Sequence, residues 1–256
     1  GQMRRLERRS PRPFGGIEVK ADEDEWLARR YHLEKQLAAH FRQMLKKQWN
    51  SFVADLKAGT PLEQAISKLT DVSDEFRDRM LNEITMASSY GVSQGRDALP
   101  GRLGIGLDWK LVNEDASKWA QQYTYAEIQG ITATTRDVLR SKVNDWIVSG
   151  EPLSTLTRDK GLVYLFGEKR AKKIAVTEVT RAYAEANQLV FQQTGVQRRR
   201  WNAGNDELMC PVCRKLNQKV AGINEPFPGG IMLPPAHPNC RCWITPMVEY
   251  VNGNSD

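Results

Sequence analysis

Two short segments hold every cysteine of the 256-residue chain and one of its three histidines: Cys210-Pro211-Val212-Cys213 and His237-Pro238-Asn239-Cys240-Arg241-Cys242. Thiols gathered into so short a span either bind a soft metal ion or close disulfides. Cys-x-x-Cys lets two thiolates from one tight turn reach adjacent corners of a tetrahedral zinc site, and Pro211 stiffens that turn by fixing φ. The second segment offers His237, Cys240 and Cys242 for the two remaining corners. The expected ligands are Cys210, Cys213 and Cys240, with His237 and Cys242 competing for the fourth position around a structural zinc ion. One or two disulfides are the alternative, because two cysteines lie on each side of the intervening loop. Against it, the N-terminus lacks the apolar stretch of a secretory signal, and thiols in reducing compartments are seldom oxidised.

The elements that must bring these segments together are small. Pro226, Pro228, Pro234, Pro235 and Pro238 forbid a helix between them and discourage a central strand. Around this excursion, Arg200-Trp201-Asn202, Lys219-Val220-Ala221 and Cys242-Trp243-Ile244-Thr245 read as short strands. The rest of the chain reads as helix, so the class is α+β: helical N-terminal and central parts carrying a small, irregular, cysteine-rich C-terminal module.

Four regions emerge from composition and punctuation. Residues 1–20 form a basic arm, with Arg4, Arg5, Arg8, Arg9 and Arg12 against Glu7. Such an arm suits phosphate, including non-specific contact with DNA, or an acidic surface; the alternative is a solvated terminus. Residues 21–107 form a helical region, with Trp26, Tyr31, Leu33, Leu37, Phe41, Leu45, Phe52 and others at three- and four-residue steps. Gly59 should end its first helix, Thr60 should cap the next with Pro61 in the first position, and glycine-rich 91–107 should form a loop. A second helical region covers 108–195. It is expected to hold two helices broken near Thr132, then a connector, then a regular helix over about 168–194. The cysteine module fills 196–251. No apolar run is long enough to span a membrane.

Evidence for catalysis is thin. Glu178, Arg181 and Glu185 share a face of the 168–194 helix, and the expected role is a structural ion-pair ladder. No histidine lies between His40 and His237, and no Gly-x-Ser-x-Gly elbow occurs. The 91–107 glycines lack the strand before and the Gly-Lys-Ser/Thr after that a phosphate loop needs. His32 and His40 are expected at the surface or its boundary. The chain is therefore expected not to be an enzyme.

An ordered series of segments then resembles one family. It begins with Ile128-Gln129-Gly130-Ile131-Thr132-Ala133-Thr134-Thr135 and Trp146-Ile147-Val148-Ser149-Gly150-Glu151-Pro152-Leu153. Phe166-Gly167 with Arg170-Ala171 comes next, then Ile174-Ala175-Val176-Thr177-Glu178-Val179-Thr180-Arg181-Ala182-Tyr183. Trp201, Cys210-Pro211-Val212-Cys213-Arg214-Lys215-Leu216-Asn217 and Pro234-Pro235-Ala236-His237-Pro238-Asn239-Cys240-Arg241-Cys242 complete it. Over about 110–245 the chain resembles the phage Mu F-like minor head proteins, also described as head-morphogenesis proteins. It departs from their pattern at Leu216-Asn217-Gln218, where they commonly read Leu-Asp-Gly. Asn217 is expected to supply the positive φ of that turn.

The resemblance implies a virion component of a tailed phage, in the head interior or at the portal vertex. It implies the portal protein as partner, with the major capsid protein and packaged DNA as further contacts, and a part in head assembly and DNA packaging or ejection. No membrane partner is expected. Some proteins of this family carry an ADP-ribosyltransferase-like domain beyond the shared module. None is expected here, since only about a dozen residues come after Cys242. The competing class is a DNA-processing enzyme, because Cys-x-x-Cys succeeded by His-Pro-x-Cys superficially resembles zinc-stapled HNH nucleases. Such an enzyme needs a metal-activating histidine apart from the zinc ligands, and His237 would have to serve as both.

Overall fold

The apolar stripe that begins at Trp26 winds into α1, Glu23–Lys57, the first of eight α-helices among the described residues of a computed structural model of the chain. The structure describes residues 23–70, 72–100, 103–104, 106–204 and 209–247. The basic arm, with Arg4, Arg5, Arg8, Arg9 and Arg12, lies outside them.

Gly59 ends α1 as expected, at φ 77°. Its N–H bonds Leu56 O at 3.1 Å and the next N–H bonds Asp55 O at 3.0 Å, the paired closure of a Schellman motif. Thr60 does not cap the next helix. Its hydroxyl turns back to Asp55 Oδ1 at 3.3 Å, and Pro61 occupies the N-cap of α2, Leu62–Ser67, without a side-chain cap bond. After a 3-10 turn, Ser73 caps α3, Asp74–Asp97, by accepting from Phe76 N.

Helix α3 runs through half of the expected glycine loop, for a steric reason. Gly91 and Gly95 are one helical turn apart and face α7, Glu168–Gln193. A Cβ on Gly91 would lie 2.8 Å from Ala186 Cβ and 3.0 Å from the Tyr183 backbone. One on Gly95 would lie 2.8 Å from Asn187 Oδ1. The glycines thus let two helices approach closely.

The second helical region opens on α4, Trp109–Ser149, capped by Asp108 and closed by Gly150 at φ 65°. It is one helix, not two. Thr124, Thr134 and Thr135 donate their hydroxyls to the carbonyls four residues back, at 2.7, 3.0 and 2.8 Å. Threonine hydroxyls satisfied in this way need not break a helix. The connector coils into α5, Leu153–Arg158, and α6, Lys160–Leu165. Helix α7 then matches its expected span.

The C-terminal module is an antiparallel sheet with α8, Pro211–Leu216, at its side. Strand β1, Arg198–Asn202, is central, between β2, Val220–Gly222, and β3, Trp243–Met247. The turn after α8 is of type II, with Asn217 at φ −55°, ψ 131°. Gln218 takes the positive φ, 63°, while the Asn217 side chain accepts from Ala203 N. The left-handed position therefore falls one residue later than expected, at Gln218.

Two apolar cores result. One fills the space among α1, α2, α3, α4 from Trp119 onward, α5, α6 and α7 as far as Tyr183. The other joins the ends of α3 and α7 and the start of α4 to the module, around Phe191, Trp201, Leu216, Phe227 and Ile244. Among the described residues no helix is long and apolar enough to cross a membrane.

Candidate metal centre

Cys-x-x-Cys sits on a helix start rather than in a bare turn. Cys210 is the N-cap of α8, with Pro211 at its first position, where a missing N–H costs nothing. Cys210 Sγ accepts from Cys213 N at 3.3 Å. The loop before β3 brings up the other half. His237 Nε2 lies 3.0 Å from both Cys210 Sγ and Cys213 Sγ, and Cys213 Sγ is 3.7 Å from Cys240 Sγ. All four cysteines are free thiols.

The donors form two sets, Cys210–Cys213–His237 and Cys213–Cys240–Cys242, joined through Cys213. This soft set of sulfur and imidazole suits a zinc-like ion. Around such an ion the edge between two sulfurs is roughly 3.8 Å and that between sulfur and nitrogen roughly 3.6 Å. The Cys213–Cys240 spacing meets the first value. The imidazole lies somewhat nearer its sulfurs than the second, so ligation needs a slight withdrawal of the ring. His237 Nδ1 bonds Pro238 O at 2.9 Å, the kind of support that fixes a ligating imidazole.

Charge in the cluster is unevenly shared. The hydrogen bond from Cys242 pulls Cys240 down to about 5, against its burial. Donation to Cys240, then burial, pushes Cys242 strongly upward. Burial pushes Cys213 up to about 12. Burial opposes protonation of His237, but the Pro238 carbonyl and the neighbouring Cys240 and Cys210 outweigh it and raise the ring's pKa. One thiolate is thus favoured even before a cation arrives, and a cation would favour more.

The loop is tied to the helices by polar groups that no local pattern singles out. Arg241 grips Glu34 of α1 with Nε at 3.1 Å and Nη2 at 2.8 Å from Oε2. Arg30, fully buried, donates to Glu34, to Thr180 of α7 and to Arg241 O. Thr180 donates in turn to Cys240 O at 2.6 Å, and Asn239 N donates to Thr177 Oγ1 at 2.9 Å. Trp26 of α1 packs on Trp243, their ring centroids 6.0 Å apart. Arg199, fully buried on β1, secures the proline loop through Gly222 O, Glu225 O and Met232 O. The one signal in the sequence is the Arg30–Glu34 spacing of four, which reads equally well as a solvated pair.

Glu178 is 3% exposed and faces α4 rather than solvent. It accepts from Tyr123 OH, and Arg181 Nε lies 3.8 Å from its Oε2. Arg181 also sits over the Tyr123 ring at 5.6 Å. Burial raises the Glu185 carboxyl above its usual range, against the pull of Arg181. His32 is exposed and His40 half-buried, both on α1.

No curated protein and no solved structure matches the chain. Residues 137–245, from within α4 through the cysteine cluster to β3, match the family model described as phage Mu protein F like protein, and over that span the chain is similar to this family.

Proposed function

We propose that the chain is a minor head protein of a tailed phage, seated at the portal or inner capsid, that assists head assembly and DNA packaging or delivery. The family match over 137–245 carries this reading. The geometry supports binding rather than turnover: the one histidine of the cluster aims its Nε2 at two sulfurs, and no observation favours the nuclease alternative. Exposed Ile147 and Val148 on α4, with Val163 and Tyr164 on α6, offer apolar surface for a neighbour such as the portal.

In the same reading the cluster holds a structural zinc ion through Cys210, Cys213, Cys240 and His237, with Cys242 as the supporting thiol. The ion would lock α8 to the loop that Thr177, Thr180 and Glu34 fasten to the body. The arm at 1–20 adds salt-dependent affinity for packaged DNA, each neutralised phosphate contributing about −0.9 to the slope of log K against log salt.

The test is co-expression with the portal gene of the same phage, then size-exclusion chromatography. Co-elution is expected, and Val148→Asp should weaken it. If the two proteins never co-elute, the portal assignment is wrong.

A further inference from the structure

The five donors of the sulfur cluster outnumber the places around one tetrahedral ion, and they are not arranged as a single site. Within Cys210–Cys213–His237, and again within Cys213–Cys240–Cys242, the donor atoms lie within 4.8 Å of one another, but no four of the five meet that limit together. A tetrahedral ion sets its sulfurs roughly 3.8 Å apart. A zinc ion held by Cys210, Cys213, Cys240 and His237 therefore has to draw the two sets together.

A three-coordinate ion about 2.3 Å from its sulfurs sets them roughly 4 Å apart. Cys213 and Cys240, at 3.7 Å, already stand near that spacing. The His237 ring, 3.0 Å from its two sulfurs, has to withdraw, as it does for zinc. Each set can thus close around an ion of its own, and Cys213 belongs to both. A thiolate has the lone pairs to bridge two ions. The donors line a cavity of about 230 Å³, shared with Trp26, Leu27, Met209 and Trp243, an apolar coat that restricts water and oxygen. Arg30 and Arg241 line it too. They set cations beside an assembly of four thiolates and two monovalent ions, which is itself anionic.

We propose that the cluster takes a pair of copper(I) ions in place of one zinc ion. Cys210 and His237 hold the first, Cys240 and Cys242 the second, and the Cys213 thiolate bridges them. Copper(I) is soft, favours thiolate and imidazole and accepts three ligands. Zinc needs a fourth donor, which neither set supplies alone. Cys242, a supporting thiol around zinc, becomes a ligand. The inference rests on the cluster's being a metal centre, and not on the phage-head reading.

The test adds tetrakis(acetonitrile)copper(I) anaerobically to the reduced full-length protein as purified, with bathocuproine disulfonate competing for loosely held copper. Elemental analysis after gel filtration is expected to find two copper ions bound and one zinc ion released per chain. X-ray absorption at the copper edge should show copper–copper scattering. Cys242→Ser should bind one copper instead of two, yet still carry its zinc before copper is added. Saturation at one copper, two coppers without mutual scattering, or two coppers retained by Cys242→Ser would overturn the pair. Two coppers on protein that arrives without zinc would uphold the pair and overturn the zinc reading. One zinc before addition and one copper after it would overturn the pair alone. If neither ion is retained, the metal centre falls with it.

Discussion

Gly91→Ala adds one methyl group where α3 meets α7. Its Cβ would stand 2.8 Å from Ala186 Cβ and 3.0 Å from Tyr183 Cα and O. None of these atoms is the far end of a flexible side chain, so the helices themselves must separate. Overpacking of this kind costs about 1–3 kcal/mol, and alanine returns about 1 kcal/mol of helix propensity. The net expectation runs from near zero to a loss of about 2 kcal/mol. Gly130 supplies the control. It lies exposed on α4 with nothing within 4 Å of a would-be Cβ, so Gly130→Ala carries the propensity gain alone. Subtracting one variant from the other cancels propensity and leaves the steric cost, about 1–3 kcal/mol. Urea unfolding monitored by circular dichroism, with unchanged m values, measures both. If the two variants raise the midpoint equally, the close α3–α7 contact does not exist.

Three further outcomes are expected. Gln218→Gly should stabilise the protein by about 0.5–1 kcal/mol by freeing the left-handed position of its strain, and a lower midpoint would contradict the turn. Burial pushes the Glu83 carboxyl above its ordinary 4.5, against the pull of His32. Its stabilising share is therefore full below 4.5 and lost as pH rises through the raised value, so the gain from Glu83→Gln should grow between pH 4 and pH 7; a gain independent of pH would refute this. Protein purified without added metal should carry about one zinc per chain, and Cys210→Ser should loosen residues 209–247 in hydrogen exchange before it loosens α1 or α3. Metal-free protein with four oxidised cysteines would restore the disulfide reading.

Much of this architecture is legible in the sequence because apolar spacing and punctuation agree. The stripe on 168–194 marks α7, Gly59 marks the end of α1, and β-branched and aromatic content marks β1 with its neighbours. The failures share a cause: a residue's partner lies elsewhere in the chain. Glycine permits either a turn or a close approach, and only Ala186 and Tyr183 decide that Gly91 does the second. Thr132 to Thr135 read as a helix break in a sequence that does not show which carbonyls their hydroxyls can bond. The cysteine positions are plain from spacing, whereas the Glu34–Arg241 clamp joins residues too far apart in sequence for any local pattern to reveal it. Arg199 stands just before the expected strand at 200–202, and only the longer β1, Arg198–Asn202, buries it.

The most direct test of the functional reading is quantitative mass spectrometry of purified, DNA-filled heads from the encoding phage, paired with cryo-electron microscopy of the portal vertex. A portal-associated minor head protein should be present at low copy number relative to the major capsid protein, with density beside the portal. Absence of this chain from heads, or an even spread over the shell, would contradict that reading.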